Sequence, residues 1–113
     1  MVNVAYIPSR GDFIRLDFTP QSGHEQRGAR PALVVSNDFF NQHTGLALVC
    51  PLTSTRRDYP LHVEVMDSPA VHGYIMVEQT RSIDYRARNA AFIARAPVEL
   101  VEEVCARLRA CLA

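Results

Sequence analysis

The stretch Gly11-Asp12-Phe13-Ile14-Arg15-Leu16-Asp17-Phe18 sets the frame for the whole chain. Ile14, Leu16 and Phe18 alternate with Arg15 and Asp17, the period of two expected of a strand with one buried face. Pro20 closes it, and residues 21–29, with Ser, two Gly and several polar side chains, read as a loop. Outward from there the chain continues in short pieces. Residues 31–36 (Pro-Ala-Leu-Val-Val-Ser) are apolar enough for a strand buried on both faces. Residues 38–42 suit a single helical turn capped by Asn37. Residues 46–52, with Pro51 near the end, form another apolar run that suits a strand terminus or edge. In 61–66, Leu61, Val63 and Val65 alternate with His62 and Glu64. Residues 74–77 and 90–94 are two further short strand candidates, separated by the Arg-containing interval 78–89.

The tail changes period. Pro97 suits the first turn of a helix, and Val98, Val101, Val104, Cys105, Leu108, Cys111 and Leu112 recur at spacings of three and four. Glu99, Glu102 and Glu103 lie toward its positive end, and Arg107 and Arg109 toward its negative end, as the helix dipole favours. Short strands with long polar connections and one closing helix predict a mainly β fold with helices: a small barrel partly covered by a C-terminal amphipathic helix. The 113 residues fit one domain, 1–113.

Composition narrows the function. Basic and acidic residues balance at 12 each, which argues against a generic polyanion binder. All the basic residues are Arg, whose planar fork of donors matches phosphate and can stack on bases; a GC-rich genome gives the same bias, above all at the helical Arg107 and Arg109. No run approaches the ~20 apolar residues that span a bilayer. Residues 1–10 lack a basic segment followed by an apolar run, so no signal peptide is expected and the cytoplasm is the expected compartment. Cys50, Cys105 and Cys111 form no CxxC pair, and buried free thiols are the expectation for all three. No histidine pairs with a carboxylate at metal-ligand spacing, so neither a metal nor a cofactor is expected.

Three stretches can carry chemistry. Glu25-Gln26-Arg27-Gly28-Ala29-Arg30-Pro31 places a carboxylate and two guanidiniums within a short loop, and Pro31 fixes the backbone beside Arg30; an ordinary surface pair of Glu25 with Arg30 explains the spacing equally well. Neighbouring His24 could help proton transfer. Thr53-Ser54-Thr55 ends the third strand with hydroxyls that can donate to a phosphate oxygen, or simply stabilise a turn. Glu78-Gln79-Thr80-Arg81-Ser82, followed by Tyr85, Arg86 and Arg88, mixes cations, amides and an aromatic, as single-stranded nucleic acid requires. An exposed strand and loop with ordinary charge pairs would read the same way.

Together these stretches resemble the MazF/PemK toxin family. The likeness runs through Pro8 and Gly11-Asp12, then Glu25-Gln26-x-Gly28-x-Arg30-Pro31-Ala32 and Leu33-Val34-Val35-Ser36. Asn41, Thr44-Gly45, Val49, Pro51-x-Thr53 and Tyr59-Pro60 follow, then Glu78-Gln79-x-Arg81-Ser82-Ile83 and Arg86-Ala87-Arg88, all in order along nearly the whole chain. The sequence departs from the family at Glu78, where Asp is common, and at Asp84-Tyr85, where some relatives carry a small residue and Trp.

The resemblance implies an SH3-like barrel acting as a homodimer. It implies the toxin of a type II toxin–antitoxin system: a metal-independent endoribonuclease (mRNA interferase) that cuts single-stranded RNA at specific sequences and is inhibited by an acidic, MazE-like antitoxin. The family's catalytic Arg and Thr fall on Arg30 and Thr53, and its loop Glu on Glu25. The surrounding RNA contacts would come from His24, Gln26, Arg27, Ser54, Arg56, Arg57, Glu78, Gln79, Arg81 and Arg86. Two other readings share the fold: a CcdB-like gyrase poison that acts by binding, and a barrel that has lost catalysis.

Overall fold

A computed structural model describes residues 5–18 and 29–113. Seven strands, β1 (Asp12–Asp17), β2 (Ala29–Val34), β3 (Leu46–Thr53), β4 (His62–Glu64), β5 (Tyr74–Met76), β6 (Arg81–Asp84) and β7 (Ala91–Arg95), alternate with two α-helices, α1 (Asp38–Thr44) and α2 (Val98–Leu112). A single 3-10 turn spans Val77–Gln79. The sheet is antiparallel and runs β4-β5-β3-β2-β1-β7, with β6 also on β3. It is strongly built around β3 but does not close among the described residues: β4 and β7 remain its two ends.

Alternation along the strands sorts the core into two layers. Phe13, Leu33, Cys50, Leu52 and Ile75 face Val101, Val104 and Cys105 of α2. Ile14, Leu16, Ala32, Val34, Ala47 and Val49 face the other way and are covered by Ile83 and Tyr85. The first strand is therefore buried on both faces at its start, because Phe13 lies under α2, and not on one face as its alternation implied. The interval 78–89 holds β6, a strand the sequence hides because only Ile83 of its four residues is buried.

Several local predictions hold. Asn37 caps α1 by accepting the Phe40 amide at 2.9 Å, and Gly45 ends it in the left-handed conformation at φ 75°. In α2, however, the last turn runs beyond the core, so Cys111 and Leu112 are exposed, as is Val98 at the other end. The expectation of a buried thiol thus fails at Cys111 and holds at Cys50 and Cys105.

Buried polar groups tie the layers together. Asp12 takes hydrogen bonds from the Tyr6 hydroxyl, from the Ser9 amide at 3.0 Å and from Arg95 at 2.7 Å. Burial, then this bond to Asp12, push the Tyr6 hydroxyl pKa far up. Asn41, fully buried, donates to the Pro8 carbonyl at 2.7 Å, and its own carbonyl accepts from the Tyr85 hydroxyl at 2.6 Å. Tyr85 is thus a core residue and offers no stacking surface.

Candidate active site

The β2–β3 pair aligns Ala32 with Pro51, Leu33 with Cys50 and Val34 with Val49. Continued by two residues, the same register sets Arg30 opposite Thr53. Both then point to the sheet face opposite α2, at the end where that face is no longer covered. The two side chains line one open cavity of about 400 Å³, together with Ser54, Thr55 and His72. Two stretches separated by more than twenty residues of sequence converge because adjacent antiparallel strands carry them.

Thr53 is held from two sides. Its hydroxyl oxygen accepts the Thr55 amide at 3.1 Å, which leaves its O–H proton to donate into the cavity. On the other side Tyr74 is its register partner in β5, and Gly73 packs against its carbonyl. Gly73 has φ +125°, and a Cβ there would lie 2.7 Å from the Thr53 carbonyl oxygen.

A second cavity, about 610 Å³, adjoins the first and shares Thr53 and Thr55 with it. Arg57, Asp58, Tyr59, His62, Glu78 and Gln79 complete its main polar lining. The two cavities adjoin at Thr53 and Thr55, so Arg30 and Pro31 of the first chemically suggestive stretch come near Thr53-Ser54-Thr55 and Glu78-Gln79 of the other two. Glu78 is anchored there by the ring of His62 at 2.9 Å. The His62 side chain is only 4% exposed, and its Nδ1 is buried without a partner. Tyr59 packs edge-on to the same ring, with centroids 5.1 Å apart.

Residues 9–112 match the family described as PemK-like, MazF-like toxin of type II toxin-antitoxin system. This chain belongs to that family. The endoribonuclease toxin ChpB of Escherichia coli K12 is 46% identical over 109 residues, covering 89% of this chain and 90% of the relative. The endoribonuclease toxin MazF of the same organism is 41% identical over 85 residues, covering 75% and 76%. Among solved structures, a MazE-MazF crystal structure from Deinococcus radiodurans superposes with a TM-score of 0.87 at 42% identity, covering 96% of this chain and 97% of that one.

Within the toxin fold the remaining expected site residues divide. Ser54 lines the Arg30 cavity, and Arg57, Glu78 and Gln79 line the larger one. Arg56 is exposed between Thr55 and Arg57 on the rim-forming loop. Arg81 lies in β6 with its guanidinium 5.5 Å over the Phe18 ring, and the Arg86 backbone amide is bound by Asp84; neither side chain lines either cavity. His24, Glu25, Gln26 and Arg27 lie outside the described residues. Sequence reasoning missed His62, His72, Tyr59 and Asp58. The His62-x-Glu64 alternation did mark His62 as facing away from the strand's apolar side, and that was the available signal.

Proposed function

We propose that this toxin is an endoribonuclease that cuts single-stranded mRNA at specific sequences in the cytoplasm, without a metal, by in-line attack of a 2′-hydroxyl on the adjacent phosphate. The observation that carries the reading is the convergence of Arg30 and Thr53 on one cavity. RNA supplies its own nucleophile, so the protein needs to align it, accept its proton and stabilise charge on the phosphorane. Arg30 holds the developing charge with a fork of donors. Thr53 donates its hydroxyl proton to a phosphate oxygen, its orientation set by the Thr55 amide. Glu25 is the base that takes the 2′-hydroxyl proton, with His24 beside it. The products are a 2′,3′-cyclic phosphate and a 5′-hydroxyl end.

The groove beyond Thr53 receives flanking nucleotides through Arg57, Glu78 and Gln79, while Gln26, Arg27, Ser54, Arg56, Arg81 and Arg86 extend the contact. An acidic MazE-like antitoxin covers this Arg-rich surface, and the toxin acts as a homodimer. The MazE-MazF structures among the neighbours support the antitoxin assignment, and the endoribonuclease relatives favour cleavage over the two binding-only readings.

The test is incubation of the purified protein with a long unstructured transcript in excess EDTA, with the cut ends mapped. Cleavage at a recurring sequence is expected, and a deoxyribose at the scissile position blocks it. Intact RNA, with or without Mg²⁺, overturns the proposal.

A further inference from the structure

We propose that Glu78, held by His62, reads one nucleobase of the RNA through an exocyclic amino group, so that the larger cavity accepts adenine, cytosine or guanine and rejects uracil; the inference rests on the endoribonuclease reading above. A carboxylate is an unusual group to keep in a site for a polyanion. It repels phosphate, so a favourable contact with RNA has to come from a base. A carboxylate only accepts hydrogen bonds. The three amino-bearing bases offer N–H donors to it, and single-stranded RNA leaves those edges unpaired. Uracil places carbonyl oxygens on both sides of its one ring N–H, and these repel the carboxylate.

His62 is the positioning residue that fixes this acceptor. Its Nε2 lies 2.9 Å from Glu78 Oε2, and because the carboxylate can only accept, the ring nitrogen is the donor. Oε2 is thus occupied, and Oε1 is the oxygen left to meet a base. Among the described residues the other ring nitrogen, Nδ1, is buried without a partner, so the ring holds Glu78 through Nε2–H alone. The fold delivers the pair. β4 and β5 align His62 with Met76, and the Val77 amide donates to the Leu61 carbonyl at 2.9 Å. The turn Val77–Gln79 therefore leaves the sheet directly beside His62.

The rest of the cavity suits a base. Tyr59 lines it and is 44% exposed. A tight turn carries this residue: its amide donates to the Arg57 carbonyl and its carbonyl accepts the His62 amide, both at 2.9 Å. Arg107 donates to the Pro60 carbonyl and so ties that turn to α2. An aromatic held this way gives a base a face to stack on, while Glu78 and Gln79 meet its edge. Arg57, in the same lining, supplies a cation for the phosphate.

The decisive experiment maps cut ends on a randomised RNA pool with the wild-type protein and with Glu78→Gln. The amide keeps the size of the side chain and can still accept from His62, but it can also donate to a carbonyl oxygen of uracil. Wild type is expected to exclude uracil at a position of the cleaved sequence where Glu78→Gln admits it, with the other positions unchanged. A general loosening of the fold does not produce a change confined to one position. Two oligoribonucleotides then differ only in the base at that position, which either carries its amino group or is the analogue without it: purine for adenine, hypoxanthine for guanine, pyrimidin-2-one for cytosine. Loss of the amino group is expected to cost wild type roughly 10- to 100-fold in kcat/KM, and Glu78→Gln only a few-fold. A wild-type profile that admits uracil everywhere, a Glu78→Gln profile like that of wild type, or an equal cost of the missing amino group in both proteins overturns the assignment while leaving the nuclease reading intact. Wild-type protein that cuts no member of the pool overturns the nuclease reading itself.

Discussion

Arg30 and Thr53 each stand two residues beyond the alignment of Ala32 with Pro51 in the β2–β3 pair, and they share one cavity. Because the pairing is antiparallel, the position of one side chain relative to the other is set by strand register rather than by loop conformation. A one-residue slip would send one of the two to the α2 side of the sheet, and that slip would also expose Ala32 or Val34, which are fully buried. The core therefore enforces the geometry of the site.

Removal of Arg30 should abolish most activity without unfolding the protein. Losing a donor to a developing oxyanion costs about 10²–10³ in rate, and Arg30 is exposed, so its truncation leaves stability within about 0.5 kcal/mol of wild type. Arg30→Lys keeps the charge but loses the fork and recovers only part of the rate. In the proposed mechanism both side chains act on one phosphate, so the Arg30→Ala, Thr53→Ala double variant should be slowed by less than the product of the single effects. Single-turnover rates on a short oligonucleotide, with thermal melts alongside, check all three statements. Independent, multiplying effects would show that the two residues do not act on a common transition state.

Gly73→Ala tests how Thr53 is held. Both the left-handed backbone at φ +125° and the 2.7 Å approach to the Thr53 carbonyl oxygen oppose a side chain there. Strain of this kind costs of order 1–3 kcal/mol, and relief by displacing the end of β3 would move the Thr53 hydroxyl as well. The expected result is a lowered melting temperature together with a lowered kcat, read by calorimetry and steady-state cleavage. A variant that melts and cleaves like wild type would show that the Gly73–Thr53 contact is not restrictive.

β1 was legible because its alternation is driven by burial, with Ile14 and Leu16 facing a core, and β2, which frames the site, because its apolar run fits a strand covered on both faces, with Ala32, Leu33 and Val34 fully buried. So was the α1 cap, since Asn37 stands where a side-chain acceptor meets free helix amides. β6 was not, because Arg81, Ser82 and Asp84 are exposed and it is held by backbone pairing to β3 rather than by side-chain burial. Arg30 and Thr53 were identifiable as residues, yet their convergence was not, since it depends on a register that no local pattern encodes. His72 escaped for a related reason: a lone histidine has no spacing, and its place in the Arg30 cavity comes only from what the sheet brings together; for His62 the alternation gave only the face of the strand, not its contact with Glu78.

The three thiols should react in an order set by burial. Burial pushes the Cys50 thiol up to about 11, partly offset by the hydroxyl of Thr80 at 3.1 Å, whereas Cys111 lies on the exposed last turn of α2. Iodoacetamide at pH 8 should therefore label Cys111 alone in the folded protein, and Cys50 and Cys105 only on unfolding. The raised Cys50 value also has a sign for stability. Between the ordinary thiol value and about 11 the unfolded chain has lost a proton that the folded chain keeps, so stability falls as pH rises through that window. Peptide mapping of alkylated protein and denaturant melts at pH 8 and 10 check the two halves. Rapid labelling of Cys50 in the native state would mean that the α2 face of the sheet opens readily.

The pairing of His62 with Glu78 makes the most discriminating variant in the larger cavity. The His62 ring holds the carboxylate at 2.9 Å while its other nitrogen is buried without a partner. Leaving such an atom unsatisfied costs about 1–3 kcal/mol, so His62→Leu removes a penalty as well as a hydrogen bond, and stability should stay within about 1 kcal/mol of wild type. Glu78, with its side chain 24% exposed, then loses its fixed orientation but can be solvated. Because Glu78 lines the part of the groove away from Arg30, the loss should fall on binding: KM rises several-fold, kcat holds, and the preferred cut sequence broadens. Glu78→Asp, too short to keep the same contact with His62, should reproduce that broadening. Steady-state constants on one oligonucleotide and end-mapping on a randomised RNA pool separate the outcomes. A fall in kcat at constant KM would instead place this pair at the reacting phosphate, since only interactions made in the transition state alone behave that way.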